Sequence, residues 1–223
     1  MPTSGVTTST MTALEVVSAA AVRGRVLKEG QVCDLALFEE GRRLLSEMLK
    51  LWTLAGANLW RDDQLVVDLV SGTSTYTLTT RPMAVRNARL IIDGIERRPL
   101  APWGRDDYDL LPSKAATGQP TCYVVDRRRA ETRLILWPTP ANSTWDLIVG
   151  VERVIEDVTA PGEEIDAPQE WLGAVIDNLG VRLADAMGVG QAETRALRED
   201  AARRYDLVQG HDRAGPVRFE MVT

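Results

Sequence analysis

The residues that could carry chemistry are few. The chain has one histidine, His211, so a Ser-His-Asp or Cys-His site would take its base from the segment HDRAGPVRFEMVT. That segment has no periodicity long enough for an element, and His211 is read as an ordinary tail residue. The two cysteines, Cys33 and Cys122, lie far apart in different kinds of segment. Reduced thiols fit them better than a disulfide, and with one histidine they do not make a tetrahedral zinc set. No metal and no cofactor is expected. A P-loop is missing, and Gly188-Val189-Gly190 follows a helical pattern without the third glycine of a dinucleotide fingerprint; it reads as a helix–helix turn. Carboxylates are plentiful at Asp62 and Asp63, Asp106 and Asp107, and Glu163, Glu164 and Asp166. Glycoside hydrolysis needs two acids held across a sugar, one of them with a raised pKa. These sit in polar, turn-like stretches and are expected to be solvated.

Two further groups are candidates for contact. Arg127, Arg128 and Arg129 fall where a hairpin should turn; they read either as a solvated tip or as a contact to phosphate or an acidic partner. Val217, Phe219 and Met221 alternate with Arg218 and Glu220. Such a segment is either a disordered terminus or an extended strand that joins a sheet edge or lies in a partner's groove.

The elements that would position these residues follow from periodicity. Thr12-Ala13-Leu14-Glu15 is a capping box opening a first helix, to about Arg23. A long amphipathic helix follows from Asp34, its apolar face Leu37, Phe38, Gly41, Leu44, Leu45, Met48, Leu49 and Trp52, its end at Gly56. Its polar face offers a Glu39–Arg43 pair. The period then changes to alternation. Three hairpins are expected: Gln64 to Val70 with Ser74 to Thr79, Arg86 to Asp93 with Ile95 to Leu100 around Gly94, and Cys122 to Asp126 with Thr132 to Trp137. Arg105 to Leu111 reads as one helical turn and Thr144 to Val151 as a last strand. Helix returns with Pro168 at its first position, and a final helix spans Gln191 to Val208, with Ala192, Leu197, Ala201 and Leu207 as its apolar stripe.

The fold class is therefore α+β: a helical bundle formed by both ends of the chain, a β-rich insertion between the second and third helices, and an extended C-terminal tail. The expected divisions are a disordered 1–10, a helical domain of 11–63 with 158–209, a β-rich 64–157 and a tail of 210–223. The 223 residues are 44% hydrophobic and carry a net charge of -6, enough for a real core and without the basic surplus of a general nucleic-acid binder. The N-terminal MPTSGVTTST lacks the basic and apolar regions of a signal peptide. No apolar run approaches the ~20 residues of a membrane span, so a soluble protein made in a cytoplasm is expected.

Several signposts resemble a known family when taken in order. They are Leu44-Leu45-x-x-Met48-Leu49-x-x-Trp52 with Ala55-Gly56-x-Asn58-Leu59-Trp60, Ser74-x-Tyr76-x-Leu78, Arg81-Pro82, Tyr108-x-x-Leu111-Pro112-x-Lys114, Gly118-x-Pro120, Leu136-Trp137-Pro138-x-Pro140, and Pro168-x-Glu170-Trp171 with Asn178-Leu179. The chain resembles the head-to-tail adaptors of short-tailed bacteriophages, also called tail accessory or packaged-DNA stabilisation proteins, and related adaptors of gene transfer agents. The resemblance implies a structural virion protein at the head–tail neck, made in the host bacterial cytoplasm. It implies a ring, usually of twelve copies, beneath the portal protein, which extends the channel for packaged double-stranded DNA and carries the tail nozzle, hub or fibre proteins. It also implies that the C-terminal part reaches the portal, through His211, Arg213, Pro216, Val217, Arg218, Phe219 and Met221. The acidic balance suits a channel that DNA must slide through. The alternative within the same resemblance is a tail-associated, muramidase-like peptidoglycan hydrolase working through paired carboxylates.

Overall fold

The computed structural model describes residues 10–54 and 61–212. In chain order the elements are α1 (Ala13–Arg23), α2 (Leu35–Leu54), β1 (Asp62–Asp68), β2 (Thr75–Thr77), β3 (Ala84–Ile92), β4 (Ile95–Pro99), β5 (Ala101–Trp103) and α3 (Arg105–Asp109). There follow β6 (Thr117–Gly118), β7 (Cys122–Arg127), β8 (Thr132–Trp137), β9 (Thr139–Pro140), β10 (Asp146–Glu152), α4 (Gln169–Ala186) and α5 (Gln191–Asp212). The protein is α+β. Its described residues fall into two compact units, 10–54 with 155–212, and 61–154.

In the helical unit, α4 packs against α1, α2 and α5. Its face is nearly continuous in apolar side chains, with Trp171, Val175, Leu179 and Leu183 all buried. The hub is therefore α4, not the longer α2 that dominates the sequence pattern. α1 starts where the capping box places it, with Glu15 N donating to Thr12 Oγ1 (3.3 Å) and Thr12 N to Glu15 Oε2 (2.8 Å). Two more of its free N–H groups, on Ala13 and Leu14, donate to the carbonyls of Glu163 (2.7 Å) and Pro161 (3.0 Å), so a distant loop completes the helix terminus.

α1 and α4 touch through their backbones. A Cβ added to Gly180 would lie 2.8 Å from the carbonyl oxygen of Ala20 and 3.3 Å from the nitrogen of Gly24. Against α2, a Cβ on Gly41 would lie 2.5 Å from Val17 Cγ1. On the exposed side of α2, Arg43 pairs with Glu40 (2.6 Å) and Glu47 (2.7 Å), while Glu39 pairs with Arg42 (2.7 Å). The expected Glu39–Arg43 pair is not made, because the i,i+3 partner of each competes for it. Pro168 is the N-cap of α4, not its first helical residue. The packed face of α5 runs through buried Thr194 and Ala201 and half-buried Leu197 and Tyr205; Ala192 and Leu207 are exposed, Leu207 at 74%.

The β unit packs two sheets. One has the order β1-β10-β3-β4, wholly antiparallel, and the other β2-β8-β7-β5, with β5 parallel to β7. Ala88, Leu90, Leu147, Val149 and Val151 of the first meet Tyr76, Tyr123, Leu134 and Leu136 of the second in one core. The β3–β4 and β7–β8 hairpins form as expected. Asp93 (φ 52°) and Gly94 (φ 73°) make the left-handed two-residue turn of the first. The expected β1–β2 hairpin does not form. Its turn is real, with Gly72 at φ 79° and Thr73 N donating to the Val70 carbonyl (3.0 Å). But β1 pairs with β10 and β2 with β8, so the turn passes the chain from one sheet to the other. Tyr76 fixes that corner: its hydroxyl donates to the Thr73 carbonyl (2.8 Å) and accepts from Val70 N (3.0 Å).

The expectations for residues 1–9, for Gly56 as the end of α2, and for the motif residues 55–60 lie outside the described residues. Two glycines in the helical unit are expected to behave oppositely. Gly180→Ala is expected to destabilise by about 1–3 kcal/mol through overpacking against backbone that cannot move aside. Gly210→Ala in α5, where a Cβ meets nothing, is expected to stabilise by about 0.5–1 kcal/mol through helix propensity. Denaturant unfolding of both variants checks the sign of each.

Candidate functional site

The arginine turn sits at the tip of the β7–β8 hairpin. Arg127 is the last residue of β7, paired across to Thr132, and Arg128 N donates to the Glu131 carbonyl (2.8 Å) to close the turn. Arg128 Nε also reaches Asp126 (3.1 Å), and Arg133 pairs with Glu131. Among the described residues neither Arg127 nor Arg129 forms an ion pair, and all three tip arginines are exposed. The tip thus presents two unpaired guanidinium groups in solvent, an arrangement suited to a phosphate or carboxylate.

The C-terminal candidates separate. α5 continues through Asp212, four residues past its expected end, so His211 belongs to a helix backbone and not to a tail. Arg213, Pro216, Val217, Arg218, Phe219 and Met221 lie outside the described residues.

Several of these carboxylates hold local backbone or pair with an arginine, and Asp62 and Asp63 lie in β1 and Asp106 and Asp107 in α3, not in loops. Asp107 accepts from Gly104 N (3.0 Å) at the start of α3, and Asp62 pairs with Arg86 (3.1 Å). Asp166 accepts from Glu156 N (2.9 Å). Glu163 accepts from the backbone of Thr159 (2.6 Å) and Ala160 (3.0 Å) and from the Thr159 hydroxyl. Those bonds hold its carboxyl below the ordinary range, the opposite of what a general acid needs. Burial pushes both thiols up, Cys122 also donating to the Trp137 carbonyl (3.3 Å). Both cysteines are free. Among the described residues no group of three or more His, Cys, Asp or Glu side chains could hold a metal ion, and no helix is long and apolar enough to cross a membrane.

Aromatic residues organise both units. Trp52 lies 5.6 Å from Trp171 and 4.8 Å from Tyr205, ring centre to ring centre, tying α2, α4 and α5 together. In the β unit Trp103 stacks on Trp137 at 5.7 Å, and Trp137 Nε1 donates to the Ser113 carbonyl (3.0 Å). The Gly118-x-Pro120 and Trp137-Pro138-x-Pro140 motifs, separate in sequence, meet here: Gly118 pairs with Pro140 across β6 and β9. The Trp137–Pro138 bond is cis.

The family model for the SU10 adaptor protein matches residues 11–219. The chain belongs to the SU10 adaptor protein family. The match spans residues of both units. This family is one of phage structural adaptors, which makes the chain a phage adaptor by family. A comparison with curated proteins finds no match.

Sequence reasoning missed one group in this adaptor. Asp177, on the buried face of α4, is fully buried. Arg23 of α1 donates to its Oδ1 at 2.7 Å. Arg204 Nε of α5 lies 3.1 Å from Oδ2, an ion pair set off the hydrogen-bond line. Next to it, Asn178 Nδ2 donates to the Ala174 (2.9 Å) and Ala201 (3.0 Å) carbonyls. The available signal was an acid inside an otherwise apolar helical stripe, a position that requires a partner.

Two predictions follow from these groups. Asp177→Ala leaves both arginines without their shared acceptor and is expected to cost about 2–3 kcal/mol, less than a fully buried pair because the arginine side chains are 46% and 47% exposed; a shift in denaturant midpoint measures it. The double change Arg127→Ala with Arg129→Ala is expected to leave stability within about 0.5 kcal/mol. A large loss of stability there would make the tip a structural element.

Proposed function

We propose that this chain is the head-to-tail connector of a short-tailed phage, acting as a structural part and not as an enzyme. The observation that carries this reading is the adaptor family match across residues 11–219. In it, both ends of the chain form a helical bundle and the middle a β-rich insertion. Copies assemble as a ring, of twelve, under the portal protein. The ring extends the DNA channel, retains packaged duplex without reading its sequence, and gives the tail nozzle, hub or fibre proteins their platform. Its place is the virion neck, with no membrane partner. The segment beyond Asp212, with Arg213, Pro216, Val217, Arg218, Phe219 and Met221, is the portal clasp. The Arg127–Arg129 tip is a contact to DNA phosphate or to an acidic partner.

The geometry supports a connector in two ways. The hairpin tip holds two unpaired arginines in solvent, and Asp107, Glu163 and Asp166 serve as hydrogen-bond acceptors for the backbone. The test is capture of N-terminally tagged protein from a phage-producing lysate, with mass spectrometry of what accompanies it. Portal and tail proteins in near-equal copy number are expected. Truncation after Asp212, which keeps α5 whole, should abolish portal capture and leave a folded protein. Capture without any virion protein would overturn the connector reading, and undiminished portal binding by the truncated chain would overturn the clasp.

A further inference from the structure

The four-stranded sheet ends in two edges of opposite character. β1 carries Asp62, Asp63 and Asp68 and no base; β4 carries Arg97 and Arg98 with a single acid, Glu96. Glu96 is taken by Arg89 (2.9 Å) and Asp62 by Arg86 (3.1 Å). Among the described residues Asp63, Asp68, Arg97 and Arg98 form no ion pair, so the free charge is negative on one edge and positive on the other.

The β4 edge is irregular. Arg89 pairs with Pro99 and Ile91 with Glu96, which leaves Arg97 and Arg98 together opposite Leu90. This is a β-bulge, which re-aims side chains, and both arginines line one cleft with Ile92, Pro120 and Trp145. No carboxylate lines that cleft. Each edge also exposes one large apolar side chain, Val66 on β1 (66%) and Ile95 on β4 (58%).

We propose that these edges are the two halves of a self-contact: the β4 edge of one copy receives the β1 edge of a second copy. The strand directions alternate across β1-β10-β3-β4, so β4 and an incoming β1 are antiparallel without any reversal. Charge selects the partner. Two β1 edges would set aspartates against aspartates, and two β4 edges arginines against arginines, which like-charge repulsion disfavours. Only the unlike edges attract. A contact between different patches is heterologous, and it propagates head to tail into a closed ring or an open filament. The assignment deepens the ring reading above and rests on it; it names the surface through which the ring would grow.

The test is sedimentation velocity on the full chain across protein concentration, at low and high salt. Wild type is expected to associate in a concentration-dependent way, less so at high salt. Arg97→Glu with Arg98→Glu, and separately Asp63→Arg with Asp68→Arg, should each weaken association by about tenfold or more. An equimolar mixture of the two variants should regain it, since each altered edge now complements an edge of the other; recovery also requires both to be folded. A wild-type chain that stays monomeric, association indifferent to both variants, or no recovery on mixing overturns the self-contact. So does loss of duplex DNA binding by the β4 variant with association unchanged, which would make the cleft a phosphate site. Edge-dependent association in a chain that captures no portal would leave the self-contact standing and sink the connector reading.

Discussion

The helical unit depends on the contact between the backbones of α1 and α4. Gly24 and Gly180 leave no room for a side chain between the helices, and everything beside them is set by that closeness. Arg23 precedes Gly24, and Asp177 lies one turn before Gly180 on the same face. The carboxylate is therefore drawn out of water and held by α1 on one side and α5 on the other. A buried charge is costly unless paired, and the pairing fixes the alignment of three helices at once. Apolar packing alone, being non-directional, would tolerate small sliding of these helices. The Asn178 bonds to the Ala174 and Ala201 carbonyls tie α5 to the same point.

The β unit is held together differently. Its core is a conventional meeting of two inner faces, and its loops are held by main-chain and aromatic contacts at corners. Tyr76 braces the passage from β1 to β2, and the Trp103–Trp137 stack with the β6–β9 pair braces the opposite run of motifs. At the hairpin tip and on the two edges of the larger sheet, Arg127, Arg129, Asp63, Asp68, Arg97 and Arg98 form no ion pair among the described residues. On a chain of net charge -6, free arginines at the tip and along β4 stand out as local reversals of sign. Such reversals give orientation and partner choice more than raw affinity, which suits a protein whose family role is to join other parts.

Local patterns in the sequence determined much of this protein. The capping box starts α1 at Ala13, the apolar stripe buries Leu45, Met48 and Trp52, and the Asp93-Gly94 turn and the arginine turn close their hairpins. Each of these is a contest settled within a few residues, by cap hydrogen bonds, helical period or turn geometry. The ordered motifs from Leu44 to Leu179 also carried the resemblance to phage head-to-tail adaptors. What only the tertiary structure decided was pairing over distance. The Ser71-Gly72-Thr73 turn looks like a hairpin because it is a turn between strands. Which sheet each strand joins depends on β8 and β10, some sixty or more residues on. Asp177 looks like one more helical acid until Arg23 and Arg204 arrive from other helices. The opposite charges of β1 and β4 become two edges of one sheet only once β10 and β3 lie between them.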